Sequence, residues 1–159
     1  MFVKPLFLLF GIALTIAACD NKYHFEAKKD ISNASWMYRD TCDFTFHIGD
    51  TTTLYNIHLD LTANKSFADQ NLYLRLHTTF PDGRCESVIR TFDIYDPAGN
   101  LNGAASGEQA KQHLMLQENA FFNKSGDYTV TIEQFMRRDS LPGIVSVGLA
   151  VNQLDGKRK

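Results

Sequence analysis

Position 19 is a cysteine that ends the run Ile16-Ala17-Ala18-Cys19, an aliphatic residue and two small ones before a thiol. That order is the pattern of a lipobox. Small side chains let an extended backbone enter a peptidase groove, and the thiol is the nucleophile that takes up a diacylglycerol. Lys4 supplies positive charge ahead of Leu6 to Ile16, which are almost wholly apolar. The apolar run is too short to cross a hydrocarbon core, which needs roughly 20 residues. Residues 1–18 are therefore expected to be a signal peptide cut between Ala18 and Cys19, with acylated Cys19 as the first mature residue. Two or three acyl chains hold a protein to a bilayer stably where one does not. The mostly polar stretch 19–30 reads as a lipidated tether, and 31–159 as the folded domain.

The other groups with chemical potential are dispersed. Cys42 and Cys85 lie in a chain expected to be exported, where disulfides form. They could pair with each other or stand as separate buried thiols, and spacing does not decide between the two. His47, His58 and His77 fall on the polar phase of alternating runs, with Asp60 two residues after His58. A metal cluster on an outer sheet face is conceivable, but no H-x-H or H-E-x-x-H fixes ligand geometry, so scattered surface imidazoles are the expectation. No nucleophile elbow, S-x-x-K or C-x-x-C occurs. Gly103-Ala104-Ala105-Ser106-Gly107 lacks the ending of a phosphate loop and reads as a flexible connection. Glu118 and Glu133 are the candidates for a glycosidase-like acid pair, with solvated surface as the plainer role. No catalytic residue, metal or cofactor is assigned. With 16 basic against 18 acidic residues, net charge is −2, which leaves no electrostatic footprint for nucleic acid.

One segment combines interface-forming types. From Thr131 to Ile144 a strand loses its alternation after Ile132, passes through Met136-Arg137-Arg138-Asp139 and enters Leu141-Pro142-Gly143. Arg and Met are enriched in interface cores, and loops carry function more often than strands. Arg137, Arg138, Asp139, Leu141 and Pro142 are therefore expected to form a docking edge for a protein partner. The plainer alternative is a β-corner in which an Arg pairs locally with Asp139 or Glu133.

These residues are positioned by strands. Apolar and polar residues alternate with period two over Cys42–Ile48, Tyr55–Leu61, Leu72–Phe80, Tyr128–Ile132 and Val145–Val151, the pattern of half-buried strands. Weaker strands are expected at 22–27, 87–95 and 113–122. Turns such as Gly49-Asp50-Thr51, Pro81-Asp82-Gly83, Asp96-Pro97-Ala98-Gly99 and Leu141-Pro142-Gly143 punctuate them, and only 107–112 invites a helical turn. The predicted fold is all-β, a single antiparallel β-sandwich of jelly-roll or Ig-like layout. Pairing the Phe44 and Ile57 strands as a hairpin would set Ile48 opposite Tyr55, Phe46 opposite Ile57 and Phe44 opposite Leu59.

The chain also resembles the GldH family of gliding-motility lipoproteins. The resemblance rests on the lipobox, Trp36 with Phe44-Thr45-Phe46, Leu54-Tyr55-Asn56-Ile57, and Asn71-Leu72-Tyr73-Leu74 before Pro81-Asp82-Gly83. It continues through Asp96-Pro97-Ala98-Gly99 to Glu133-Gln134-Phe135-Met136-Arg137 and Leu141-Pro142-Gly143-Ile144, spanning about 23 to 151. It implies a non-enzymatic envelope lipoprotein associated with the gliding apparatus and its linked type IX secretion. It also implies a lipid-anchored location, with the periplasmic side of the outer membrane favoured over the inner membrane. No catalytic residues come with it. The rival reading is a lipid-anchored carbohydrate-binding sandwich, with Trp36 and Tyr73 as its aromatic platform.

Overall fold

The chain is seen in a computed structural model that describes residues 24–158. Its strands are β1 (Phe25–Asp30), β2 (Ser35–Met37), β3 (Cys42–Ile48), β4 (Thr53–Asn64), β5 (Asn71–Thr79), β6 (Cys85–Asp93), β7 (Ala104–Ser106), β8 (Gln109–Ala120), β9 (Gly126–Gln134), β10 (Ser140–Pro142) and β11 (Ile144–Lys157). A five-stranded antiparallel sheet, β1-β11-β4-β8-β7, packs on a four-stranded one, β3-β9-β5-β6, and the ribbon β10-β2 stands beside them. The predicted sandwich is thus present. Alternation explains it locally: in β3, Cys42, Phe44, Phe46 and Ile48 are buried while Asp43, Thr45 and His47 face water.

Aromatic side chains from both sheets close the core. Phe25 of β1 meets Phe46 of β3 at 5.6 Å between ring centroids, and Phe122 lies edge-on to both Tyr55 (5.3 Å) and Tyr128 (4.7 Å). Such edge-to-face pairs each add about 0.5–1.5 kcal/mol beyond area burial. At the opposite end, Trp36 pairs with Leu141 across the β2–β10 ribbon; both are buried, and the Trp36 indole N–H donates to the Asp40 carbonyl at 2.7 Å. Gly143 follows at φ +92, where a Cβ would stand 2.1 Å from the Phe67 amide nitrogen. Only glycine fits that close approach without displacing backbone.

Five expectations are corrected by the structure. The β3–β4 hairpin does not form: β3 pairs with β9 and β4 with β11 and β8, in different sheets. The turn at Asp50 is an arch between sheets, tied by Asp50 to the Thr52 amide, the Thr53 hydroxyl and Lys157. Residues 25–30, expected within the tether, form β1 against β11, with Phe25 and Ala27 turned to the core. Residues 103–107 enter the hairpin strand β7 and are not a flexible connection, and 109–112 continue as β8 where a helical turn was expected. A bulge at the start of β11 places Ile144 in the core where alternation predicted Val145.

Candidate functional site

The segment singled out in the sequence is the corner after β9. Gln134 is fully buried and fastens the corner internally: its side-chain amide donates to the Arg138 carbonyl (2.7 Å) and its side-chain oxygen accepts from the Met136 amide (2.9 Å). The Phe135 amide donates to the Tyr73 carbonyl of β5 at 2.8 Å. These bonds turn Phe135 and Arg137 to the outer face of the four-stranded sheet. There a hollow of about 440 Å³ is lined by Tyr73, Ile89, Phe135, Met136 and Arg137. A second hollow of about 250 Å³ adjoins it, sharing Phe135 and Arg137 and adding Tyr38, Arg138 and Asp139.

Tyr73 and Ile89 are 44% and 47% exposed, so the apolar floor is open to solvent. The Arg75 guanidinium lies 3.9 Å from the Phe135 ring centroid and bonds Glu133 at 3.0 Å, which holds the ring in place. Arg137 has φ +56, a left-handed conformation that costs a residue with a Cβ roughly 1–2 kcal/mol. Among the described residues, no hydrogen bond or ion pair holds its guanidinium. The arrangement suits recognition of an apolar side chain with a neighbouring acceptor, because Tyr, Met and Arg supply contact area and a donor fork.

The predicted docking residues divide here. Arg137, Arg138 and Asp139 line the hollows, and Pro142 is exposed on β10. Leu141 has no exposed surface; it is core, because alternation along β10 turns it toward Trp36. Arg138 pairs with Asp69 at 2.9 Å, and Glu133 pairs with Arg75 and His77, so the local Arg–Asp139 or Arg–Glu133 corner does not form. Tyr73, Ile89, Phe135 and Met136 were missed as a group. Ile89 gave no signal, since β6 is exposed on nearly every residue and shows no alternation.

The histidines are also redistributed. His47 bonds Asp127 on an exposed edge, and His77 bonds Ser87 and Glu133. His58 is buried on the outer face of the other sheet, correcting its expected exposure. Small residues opposite it on β11, Ala150 and Gly148, leave room for His58 and Asp60 to be covered by β8. His58 stacks on His113 at 4.1 Å, while Asp60 accepts from His113 (2.6 Å) and Lys111 (3.0 Å). Burial opposes the Asp60 charge, but the bonds from His113 and Lys111 outweigh it and hold the carboxyl below its ordinary pKa. Among the described residues, no group of His, Cys, Asp and Glu could hold a metal ion.

Cys42 and Cys85 are free. They occupy opposite edge strands, β3 and β6, three strand spacings apart, or about 14 Å across the sheet. A disulfide needs Cα atoms within about 7 Å, so the pairing considered above is not made. Burial pushes the Cys42 thiol up to about 11, which leaves it protonated and unreactive. Trp36, offered as half of a sugar platform, is 1% exposed, which removes it from any such surface. Ala18 and Cys19 lie outside the described residues.

Comparison with known proteins agrees with this frame. The GldH lipoprotein family matches residues 23–151. A gliding motility lipoprotein GldH homolog of Christiangramia forsetii is 26% identical over 156 residues, covering 94% of this chain and 95% of that protein. The gliding motility lipoprotein GldH of Flavobacterium johnsoniae is 26% identical over 162 residues, covering 98% and 100%. The match spans the sandwich from the approach to β1 into β11, and the chain belongs to the GldH lipoprotein family.

Proposed function

We propose that this chain is a non-enzymatic adaptor of the gliding-motility apparatus and its linked type IX secretion, anchored through acylated Cys19 to the periplasmic side of the outer membrane. The docking hollow formed by Tyr73, Ile89, Phe135, Met136 and Arg137 takes a protein of that apparatus. The observation that carries the reading is an open apolar floor beside a strained, unpaired arginine, in a family whose relatives are named for gliding motility. Confinement to a membrane raises the effective concentration of a membrane-bound partner without any new contact.

A photo-crosslinking residue at position 73, introduced into the full chain in native membranes, tests the proposal. One dominant protein adduct is expected, and it disappears with Arg137→Ala. An adduct pattern indistinguishable from that of a crosslinker at the exposed Glu118 of β8 would sink it.

A further inference from the structure

The described chain begins at one end of the sandwich and is clamped there. The His24 amide donates to the Val151 carbonyl at 2.8 Å, its ring nitrogen bonds the His47 carbonyl at 2.6 Å, and its ring stands edge-on to Tyr55 at 5.6 Å. Cys19 precedes His24 by only five residues. Whatever their conformation, five residues reach at most about 17 Å. An acyl chain on Cys19 therefore holds this end of the sandwich within that distance of a bilayer.

The strand register identifies what else lies at that end. Ile48 pairs with Gly126, Thr79 with Cys85, Tyr55 with Ala120 and Lys157 with Thr53. The turns 49–52, 80–84 and 121–125 and the C-terminal end of β11 thus surround the tether. Phe121 is 48% exposed there, and the Arg158 guanidinium lies over its ring at 4.3 Å. Phe80 carries Arg84 in the same way at 4.1 Å. Beside them opens an apolar hollow of about 330 Å³ between the sheets, with Phe80, Val88, Phe121 and Phe122 in its wall. Among the described residues, three ion pairs lie at this end, Lys124 with Asp82, Lys157 with Asp50 and Arg84 with Glu86, while Asp127 is hydrogen-bonded to His47 and the exposed Glu118 and Asp155 stand without an ion pair. Arg158 bonds the neutral amide of Asn123 at 2.9 Å, so no carboxylate neutralises it.

We propose that this end rests on the bilayer surface, with Phe121 at headgroup level and Arg158 at a lipid phosphate. Aromatic rings favour the membrane–water interface, and long basic side chains keep their heads in the polar layer while their stems lie against apolar surface. The docking corner then projects away from the membrane. It lies beyond Gln134, eight residues along β9 from Gly126, or about 27 Å further out. A partner meets it in the aqueous compartment.

The inference rests on the lipid anchor, and the test separates the two. The acylated full chain is reconstituted in vesicles of phosphatidylethanolamine and phosphatidylglycerol with brominated acyl chains, as Phe121→Trp and as Tyr73→Trp. Trp36, the sole native tryptophan, is buried at the far end and reports that the fold is intact. Vesicle flotation with quenching of most of the emission added at position 121, and none at 73, is the expected result. Flotation with equal quenching at both positions, or with none at 121, overturns the membrane-resting end and leaves the anchor standing. Failure to float removes the anchor and the inference with it.

Discussion

Replacing Arg137 by glycine separates docking from folding more sharply than any truncation. Among the described residues, four non-glycine residues have positive φ: Asn33, Ala34, Asn119 and Arg137. Asparagine tolerates that region, because its short side chain bonds locally. Arginine does not, so Arg137 carries a strain of roughly 1–2 kcal/mol. Glycine relieves it but adds about 0.5–1 kcal/mol of chain entropy lost on folding. The exposed guanidinium makes no bond that would be forfeited, so the balance runs from about zero to a gain of about 1.5 kcal/mol. In a domain of this size that raises Tm by about 5 °C at most. Strain kept at an exposed, charged position in a hollow points to use rather than to packing. The assay pairs thermal unfolding of the full chain with crosslinking yield from position 73. Tm is expected to hold or rise while the adduct is lost. A fall in Tm of several degrees would mean that Arg137 supports the fold, and an undiminished adduct would mean that it does not dock; either result refutes the reasoning.

The other predictions concern stability. Leu141→Ala empties a fully buried site opposite Trp36 and should cost about 2–5 kcal/mol, with crosslinking at position 73 preserved below the lowered Tm; a Tm within a degree of wild type would contradict the packing. Asp60→Asn should destabilise at neutral pH, because the folded-state pKa of Asp60 is depressed. A depressed carboxyl contributes above its unfolded pKa of about 3.9 and loses that contribution as pH falls through the folded value. The gap between wild type and variant in urea titrations should therefore close in acid; a constant gap would sink the assignment.

The strands themselves were legible, because alternation reports burial directly: β3 runs from Cys42 to Ile48 as read. Their partners were not. Period two says which face of a strand is buried but not which strand lies beside it, so the four residues after Ile48 served a hairpin or an arch equally well. Edge and centre were also hidden. Polar His58 and Asp60 looked solvated until β11 and β8 closed over them, and nothing in the 87–95 strand signalled that β6 stands at an exposed sheet edge. The proposed docking corner was legible in part, since Met136 and the two arginines break the strand pattern. The hollow needed Tyr73 and Ile89 from β5 and β6, joined to it only by sheet order. Leu141 misled for the opposite reason: a leucine beside Pro-Gly resembles a loop anchor, yet the short ribbon with β2 turns it inward.

The proposed envelope role depends most on an acyl group at Cys19, and intact-mass and N-terminal peptide mass spectrometry of the protein taken from its own membranes tests it directly. The predicted result is a chain that starts at Cys19 and carries diacylglycerol on its sulfur. A chain that retains Met1 to Ala18 with an unmodified Cys19 would contradict it.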